Sequence, residues 1–307
     1  RDIFVPNGVP PDYTPDPSSP NTNSHRLVQR DLADVLKRLA KLGRAGMYKG
    51  EVANAIAEDM QRHGGLITTA DLEKYEPAVK VPLKTGYRDF QVLSPTAPCG
   101  SWTALQTLNI LENTNLRSME HGSVEHLHTF IEGARHAFAD RFRYMGDPDF
   151  ERVPLKGLLS KAYAKLISEQ IDMEEAQIEK LSAEPPWTYF ASKAIHDPWP
   201  FDGRSNPVPP AIESTSNLSD CTTHLGAADS NGNLVSCTQT AVSTFGSRVV
   251  SPGLGFIWNN GMVWFNAKPG AANSIAPWKR PLVNMAPLLV TKEGKSCLLY
   301  TSDAADE

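Results

Sequence analysis

Two threonines that can face each other across a predicted hairpin are the residues of this sequence best placed to perform chemistry. Alternating apolar residues flank Asn231-Gly232, a dipeptide typical of tight hairpin turns. If residues 230–232 form the loop, counting outward along both strands places Thr222 opposite Thr240. Facing side chains of antiparallel strands have Cβ atoms about 4.5–5.5 Å apart. The two hydroxyls could therefore exchange a hydrogen bond.

The pairing alone leaves a simpler interpretation open. Threonine is favoured in strands for its β-branched shape, and a one-residue slip in register would turn Thr240 to the opposite face. A threonine hydroxyl is also a weak nucleophile without a base. His224 lies two residues from Thr222 on the same strand face. The sequence identifies no carboxylate partner for this histidine, and we interpret it as a structural residue.

Short motifs stand in a definite order along the chain on both sides of the hairpin. The motifs at and after the hairpin are Thr222-Thr223-His224, Thr244-Phe245-Gly246-Ser247, Asn259-Asn260 and Lys279-Arg280-Pro281-Leu282. The motifs before it include Met47-Tyr48-Lys49-Gly50-Glu51, Ala139-Asp140-Arg141 and Gly146-Asp147-Pro148-Asp149-Phe150. Together they resemble the γ-glutamyltransferases, a family of N-terminal-nucleophile hydrolases. The resemblance covers nearly everything from about Asp31 to Lys295, apart from a loop between Leu181 and Ser219.

This resemblance implies a precursor that cuts itself. The hydroxyl of Thr222 would attack the carbonyl of Cys221, and the new small chain would begin at Thr222. The base would be the freed α-amine of Thr222, a group whose reference pKa is roughly 7.7–8.0. Before the cut that nitrogen is an amide and cannot act as a base. Thr240 would hold the Thr222 hydroxyl by a hydrogen bond.

The resemblance also implies the reaction and the partners. The mature nucleophile would form an acyl-enzyme with the γ-glutamyl group of glutathione or a related amide. Water, an amino acid or a peptide would then accept that group. The large and small chains would pair after self-cleavage, and no cofactor or metal would take part.

The pocket motifs depart from the family pattern. A substrate-contacting Asn of the family is replaced by Val242, and the Gln and Asp that grip the substrate's amino group are replaced by Gly261 and Trp264. A Ser-Ser pair that grips its carboxylate is replaced by Val283-Asn284. A γ-glutamyl amide remains the leading substrate. The alternatives are an acylase of the same fold that acts on another amide, such as a β-lactam side chain, and a non-catalytic relative retained for binding.

The expected fold is α+β, a four-layer αββα sandwich that is incomplete at both ends. Periodicity predicts helices over 30–42, 51–63 and 123–145 and strands over 79–83, 88–93, 222–228 and 234–240. The third helix is expected to bury an apolar face formed by Leu127, Phe130, Ile131, Ala134, Phe138 and Phe142.

Three regions follow from the resemblance. Residues 1–221 correspond to the end of a large subunit and include a proline-rich processing loop over 182–219. Residues 222–296 correspond to the start of a small subunit. Residues 297–307 read like translated sequencing adapter, and we expect this tail to be non-native and loose at the surface. The chain by itself is therefore expected to be inactive and marginally stable.

Composition excludes some classes of function. The net charge is -5 and no basic run occurs, which argues against nucleic-acid binding. No apolar run reaches the length of a membrane span. Four cysteines give no disulfide framework, and we interpret Cys221 and Cys237 as small buried residues. His126, His128 and His136 share one predicted helix without a metal-binding spacing. No feature of the sequence indicates a compartment.

Overall fold

The computed structural model describes residues 28–176 and 220–300, without the side chains of residues 220, 221 and 298–300. The predicted processing loop over 182–219 lies outside the described residues. The chain divides into two compact units. The first contains residues 28–78 and Phe245–Trp258, and the second contains the described residues of Val79–Thr244 and Asn259–Glu307.

The first unit is helical. Its helices are α1 (Arg30–Leu42), α2 (Ala45–Tyr48), α3 (Gly50–Arg62) and α4 (Thr69–Lys74). Helix α1 ends at Gly43, whose φ of 56° suits glycine, and α4 begins with a capping box between Thr68 and Asp71. Ile56 and Leu254 share the core of this unit. The segment Phe245–Trp258, which follows the hairpin in sequence, therefore packs on these helices.

The second unit holds the remaining helices and all named strands. Its helices are α5 (Ser101–Leu111), α6 (Val124–Tyr144), α7 (Leu155–Leu158) and α8 (Lys161–Ser168). Its strands are β1 (Leu83–Tyr87), β2 (Phe90–Ser94), β3 (Asp220–Ala228), β4 (Leu234–Ser243), β5 (Leu288–Lys292) and β6 (Lys295–Tyr300). The order β1-β2-β5-β6 forms one antiparallel sheet, and β3-β4 forms the hairpin. Helix α5 packs against this sheet through Leu105, in a cluster with Val92 and Leu288.

The predicted orientation of the long helix is wrong. Four of the residues expected to be buried are about half exposed on α6: Leu127 (48%), Phe130 (48%), Ile131 (50%) and Phe138 (42%). The buried face is instead polar or small. Gly133 lies against Leu111 of α5 so closely that a Cβ there would meet it at 3.2 Å. Asp140 on this face accepts hydrogen bonds from Gln106 and Tyr163. Close helix approach and satisfied buried polar groups thus determine which side faces inward.

One strand prediction and the prediction for the tail also need correction. The first strand begins at Leu83, not at Val79, and Val79 and Val81 are exposed. Pro82 precedes the strand and has no N–H to donate to a ladder. At the other end, the expectation of a loose tail is wrong for residues 297–300, because they belong to β6, which pairs with β5. Residues 301–307 lie outside the described residues.

An ion pair joins two segments that are far apart in sequence. Asp147 is buried and accepts hydrogen bonds from Arg280 through the backbone N–H and Nε, both at 2.9 Å, and through Nη2 at 2.5 Å. Burial alone would raise the pKa of Asp147, but these hydrogen bonds more than offset it, and the pKa lies below its ordinary value.

Replacing this carboxylate should therefore lower the stability of the full-length protein. We expect Asp147→Asn to reduce the free energy of unfolding by about 2 kcal/mol, below the cost of breaking a fully buried pair because Arg280 stays partly solvated. The stability that Asp147 contributes through its lowered pKa is fully present above about pH 3.9 and is lost as the pH falls through the pKa of the folded state. Denaturant unfolding at pH 7 and at pH 3 checks both points.

The matched control is Asp89→Asn, which breaks an exposed pair with Lys292 at 3.4 Å and should change stability by no more than about 0.5 kcal/mol. Two results would contradict a stabilising role for the Asp147–Arg280 pair. One is an equal loss of unfolding free energy from the two substitutions at pH 7. The other is a difference in unfolding free energy between Asp147→Asn and wild type that is larger at pH 3 than at pH 7.

Candidate active site

The hairpin turn has the predicted loop. The backbone N–H of Asp229 donates to the carbonyl of Asn233 at 3.1 Å, and Gly232 has a φ of 83°. The Asp229 carboxylate accepts from the side chain of Asn233 at 2.7 Å and from the backbone N–H groups of Asn233 and Asn231, each at 2.9 Å. These bonds, the Asn233 side chain first, hold the pKa of Asp229 below its usual value. The Asp229 carboxylate therefore holds the turn closed, and the turn fixes the register of β3 against β4.

The two threonines face each other as predicted. Thr222 is the partner of Thr240 across β3 and β4. The Oγ1 hydroxyl of Thr222 donates a hydrogen bond to Oγ1 of Thr240 at 3.1 Å, and both side chains are half-buried. The predicted pairing of the hydroxyls is confirmed.

A β-bulge interrupts the ladder beside this pair. Cys221 pairs with Val242 whereas Thr222 pairs with Thr240, so Ala241 is an extra residue opposite the Cys221–Thr222 peptide bond. Bulges leave the extra residue unpaired and re-aim neighbouring side chains. The irregularity thus falls at the peptide bond where the family resemblance predicts cleavage.

Val242, just after the bulge, has a strained backbone. Its φ is 82°, in a region that β-branched residues rarely adopt, at a cost of about 1–3 kcal/mol. Its side chain is buried. Its backbone N–H donates to Oγ1 of Thr240 at 2.8 Å. Sequence reasoning did not find this interaction, since no residue type in the sequence marks a bulge here.

His224 lies on the same strand face and bonds to the opposite strand. Its Nδ1 is 2.7 Å from Oγ1 of Thr238, and its Nε2 is 3.3 Å from Oγ of Ser236. These contacts support a structural role for the histidine. Sequence reasoning missed Ser236 and Thr238, although the strand period of two places both on the same face as Thr240 and would have identified them.

The cysteine prediction is wrong for Cys237, which is exposed because it points to the opposite face of β4 from Thr238. The side chain of Cys221 lies outside the described part of the structure.

Asn260 connects the bulge to two of the pocket positions. Its backbone N–H donates to the carbonyl of Ala241 at 2.9 Å, and its Nδ2 donates to Oγ of Ser243 at 3.3 Å. A short 3-10 helix, Gly261–Trp264, follows directly. The positions predicted to contact a substrate amino group, Gly261 and Trp264, are therefore tethered to the strand that carries Thr240.

Asn273 extends this network to the remaining pocket positions. Its Nδ2 donates to the carbonyl of Trp264 at 2.6 Å, and its Oδ1 accepts from the N–H of Leu282 at 2.8 Å. Leu282 immediately precedes Val283-Asn284. Hydrogen bonds and the short backbone segments between them thus link the bulge to the segment that replaces the Ser-Ser pair.

Arg141 is a buried cation that supports Asn284. Its guanidinium donates to Oδ1 of Asn284 at 2.5 Å and to the carbonyls of Gly100 and Val283 at 3.3 and 3.4 Å. Burial lowers the pKa of Arg141 to about 10, so the group stays charged at neutral pH. Among the described residues no carboxylate lies within 4.0 Å of it. Sequence reasoning cited this arginine only as part of a motif, and its role could not be inferred from the motif alone.

His126 and His128 have different neighbours in the structure. Nε2 of His128 lies 2.7 Å from the carbonyl of Asp172, and the ring of His126 lies 5.2 Å from that of His121. Within residues 28–176 and 220–300, no three His, Cys, Asp or Glu side chains are grouped so that they could hold a metal ion. No helix in those ranges is both long and apolar enough to cross a membrane.

Comparisons with known proteins match most of this chain to one family. The family model described as gamma-glutamyltranspeptidase matches residues 12–302. The glutathione hydrolase proenzyme of Escherichia coli (strain K12) is 37% identical over 287 residues, which cover 90% of this chain and 45% of that protein. The acylase ACY 1 proenzyme of Pseudomonas sp. (strain SE83) is 37% identical over 271 residues, which cover 88% of this chain and 43% of that protein.

Solved structures support the fold class. The cephalosporin acylase from Bacillus halodurans superposes with a TM-score of 0.71 at 24% identity, over 96% of this chain and 46% of that one. The chain spans less than half the length of these relatives. From these matches, the chain belongs to the γ-glutamyltranspeptidase family and has the α+β fold of the N-terminal-nucleophile hydrolases.

Proposed function

We propose that the full-length protein is a self-processing amide hydrolase and acyltransferase whose nucleophile is Thr222. The observation that carries this proposal is the hydrogen bond from the Thr222 hydroxyl to Oγ1 of Thr240. With its proton engaged by Thr240, the Thr222 oxygen keeps its lone pairs available for attack on a carbonyl.

In the cleavage step, Oγ1 of Thr222 bonds to the carbonyl carbon of Cys221 as the bond from that carbon to the Thr222 nitrogen breaks. The nitrogen takes up the hydroxyl proton and becomes an α-amine, which leaves an ester between the two residues. Water then hydrolyses the ester to a Cys221 carboxylate and the restored Thr222 hydroxyl. The new amine, with a pKa near 7.7–8.0, can act as base in turnover.

The two chains produced by cleavage would stay together. Strand β2 lies before the cut and β5 lies after it, yet the two pair through Val92 and Val290. The Asp147–Arg280 ion pair also joins the two sides of the cut. Ladder hydrogen bonds and this buried pair do not depend on the Cys221–Thr222 bond, so they support a paired two-chain product.

In turnover, the Thr222 oxygen attacks the amide carbonyl of the donor, and the departing amine takes the proton that the hydroxyl loses. The resulting acyl ester is resolved by water, by an amino acid or by a peptide amine. The leading donor is a γ-glutamyl amide such as glutathione. The support comes from the family match and from relatives named glutathione hydrolase proenzyme.

A second candidate is an acylase that takes a non-glutamyl amide. The observation that favours it is the absence of a carboxylate at position 264, where Trp264 replaces the Asp expected to pair with an α-ammonium. Burying an ammonium without an anion costs several kcal/mol. The acylase ACY 1 proenzyme also matches this chain at the same 37% identity as the glutathione hydrolase.

The test compares two matched substrates on the full-length protein, γ-glutamyl anilide and glutaryl anilide, which differ only in the α-amino group. Intact-mass measurement should first show two chains, the second beginning at Thr222. Faster release of aniline from the γ-glutamyl substrate supports the leading candidate, and faster release from the glutaryl substrate supports the second. A single uncut chain with no activity on either would leave the third alternative, a relative retained for binding.

A further inference from the structure

The backbone at the bulge directs an N–H at the Thr240 hydroxyl. The N–H of Val242 points back to the side chain two residues earlier and lies 2.8 Å from Oγ1 of Thr240. Val242 itself has a φ of 82°, in a region that β-branched residues rarely adopt. Strain of this kind persists only where the surroundings hold it, and it concentrates at functional sites.

The surroundings do hold this segment on both sides. Asn260 binds the carbonyl of Ala241 before Val242 and the hydroxyl of Ser243 after it. The Val242 side chain is itself buried. The backbone at Val242 is therefore clamped between two hydrogen bonds from one residue, and its N–H has little freedom to turn elsewhere.

The consequence concerns the direction of one proton. A hydroxyl oxygen has two lone pairs, and Oγ1 of Thr240 accepts one hydrogen bond from Val242 and one from Thr222. Because both lone pairs are engaged, the proton of Thr240 itself must point away from Thr222. The pair then has a single polarity, in which Thr222 donates and Thr240 accepts.

We infer that the backbone N–H of Val242 is a positioning group that fixes the Thr240 hydroxyl as the acceptor of the hydrogen bond from the Thr222 hydroxyl. This inference rests on the proposed function of Thr222. It assigns to the bulge one task that serves both self-cleavage and turnover, since both require the lone pairs of the Thr222 oxygen to be free. The backbone of Val242 performs the task, and its side chain keeps the segment in place.

The experiment removes the N–H and keeps the side chain. In the full-length protein, Val242 is replaced by α-hydroxyisovaleric acid, which converts the amide to an ester. We expect the rate of self-cleavage to fall about tenfold, the effect of losing one well-oriented hydrogen bond. In a Thr240→Ser background, which keeps the acceptor oxygen, the same ester should also slow self-cleavage about tenfold. In a Thr240→Val background, where the acceptor is gone, it should slow self-cleavage less than about twofold.

An ester at Val235 is the matched control, because this residue lies on the same strand nearer the turn, with an exposed side chain. It should leave the cleavage rate within about twofold of wild type. Thermal unfolding confirms that each variant folds.

Equal slowing by the two esters, or equal slowing by the Val242 ester in the Thr240→Ser and Thr240→Val backgrounds, would overturn the inference. These outcomes are distinct from failure of the proposed function, in which the wild-type protein would yield no chain beginning at Thr222.

Discussion

Thr222→Ala should abolish both self-cleavage and turnover in the full-length protein. The substitution removes the hydroxyl that attacks in both steps of the proposed mechanism, and that hydroxyl belongs to the residue directly after Cys221. We expect cleavage to become undetectable and the residual amidase rate to fall by at least about 10³-fold. Intact-mass measurement over time follows cleavage, and release of aniline follows turnover. Thr222→Ser should retain part of each activity because it keeps a nucleophilic oxygen.

The adjacent residue supplies a matched control. Thr223 has the same side chain, but it is exposed on the other face of β3 and pairs with Gln239. Thr223→Ala should therefore change the rates of cleavage and turnover by no more than about twofold. A loss of hairpin stability from removing a threonine side chain would appear equally in Thr222→Ala and Thr223→Ala. Normal processing of Thr222→Ala would remove the basis of the proposed mechanism.

The hairpin could be predicted from the sequence because its signals are local. Asn231-Gly232 determines the turn, and a period of two along each strand then determines which residues face each other. From these rules the pairing of Thr222 with Thr240 followed without knowledge of the rest of the fold. The confirmed helices over 30–42 and 51–63 rest on equally local apolar periodicity.

The bulge at Ala241 could not be predicted, because the contacts that hold it come from elsewhere in the chain. Asn260 lies nineteen positions further along, and its hydrogen bonds to β4 are specified by the tertiary fold. The same limitation explains the wrong orientation of α6. Its apolar residues dominated the pattern, whereas the structure buries Asp140 and Arg141 because α5, Tyr163 and Asn284 satisfy them. A buried polar face becomes visible only when its partners are known.

The family's pocket motifs occupy positions that the structure connects, although the residues differ. Trp264 follows Asn260 on the short 3-10 helix, and Asn284 is held by Arg141. Hydrogen bonds therefore hold these positions in place, while the groups that would grip a glutamyl moiety differ from the family pattern. Substrate preference should consequently respond to single substitutions at these positions without loss of the nucleophile.

Trp264→Asp should shift the preference of the full-length protein toward γ-glutamyl amides. A carboxylate at this position can pair with the α-ammonium of a γ-glutamyl group, whereas the glutaryl group has no charge there to pair. A hydrogen bond to a charged group contributes about 1.5–3 kcal/mol, so the ratio of kcat/KM for γ-glutamyl anilide over glutaryl anilide should rise about 10- to 100-fold. Trp264→Asn removes the same ring without adding charge, and it should leave that ratio within about threefold of wild type.

A second control separates local pairing from a general change of charge. Val263 lies on the same 3-10 helix with its side chain exposed, so Val263→Asp adds the same charge one residue away. If Val263→Asp raised the ratio as much as Trp264→Asp, the effect would be long-range electrostatics, and it would then weaken with added salt. If Trp264→Asp and Trp264→Asn gave the same ratio, position 264 would not face the substrate's amino group. An increase confined to Trp264→Asp would place the acyl group of the substrate between Thr222 and this helix.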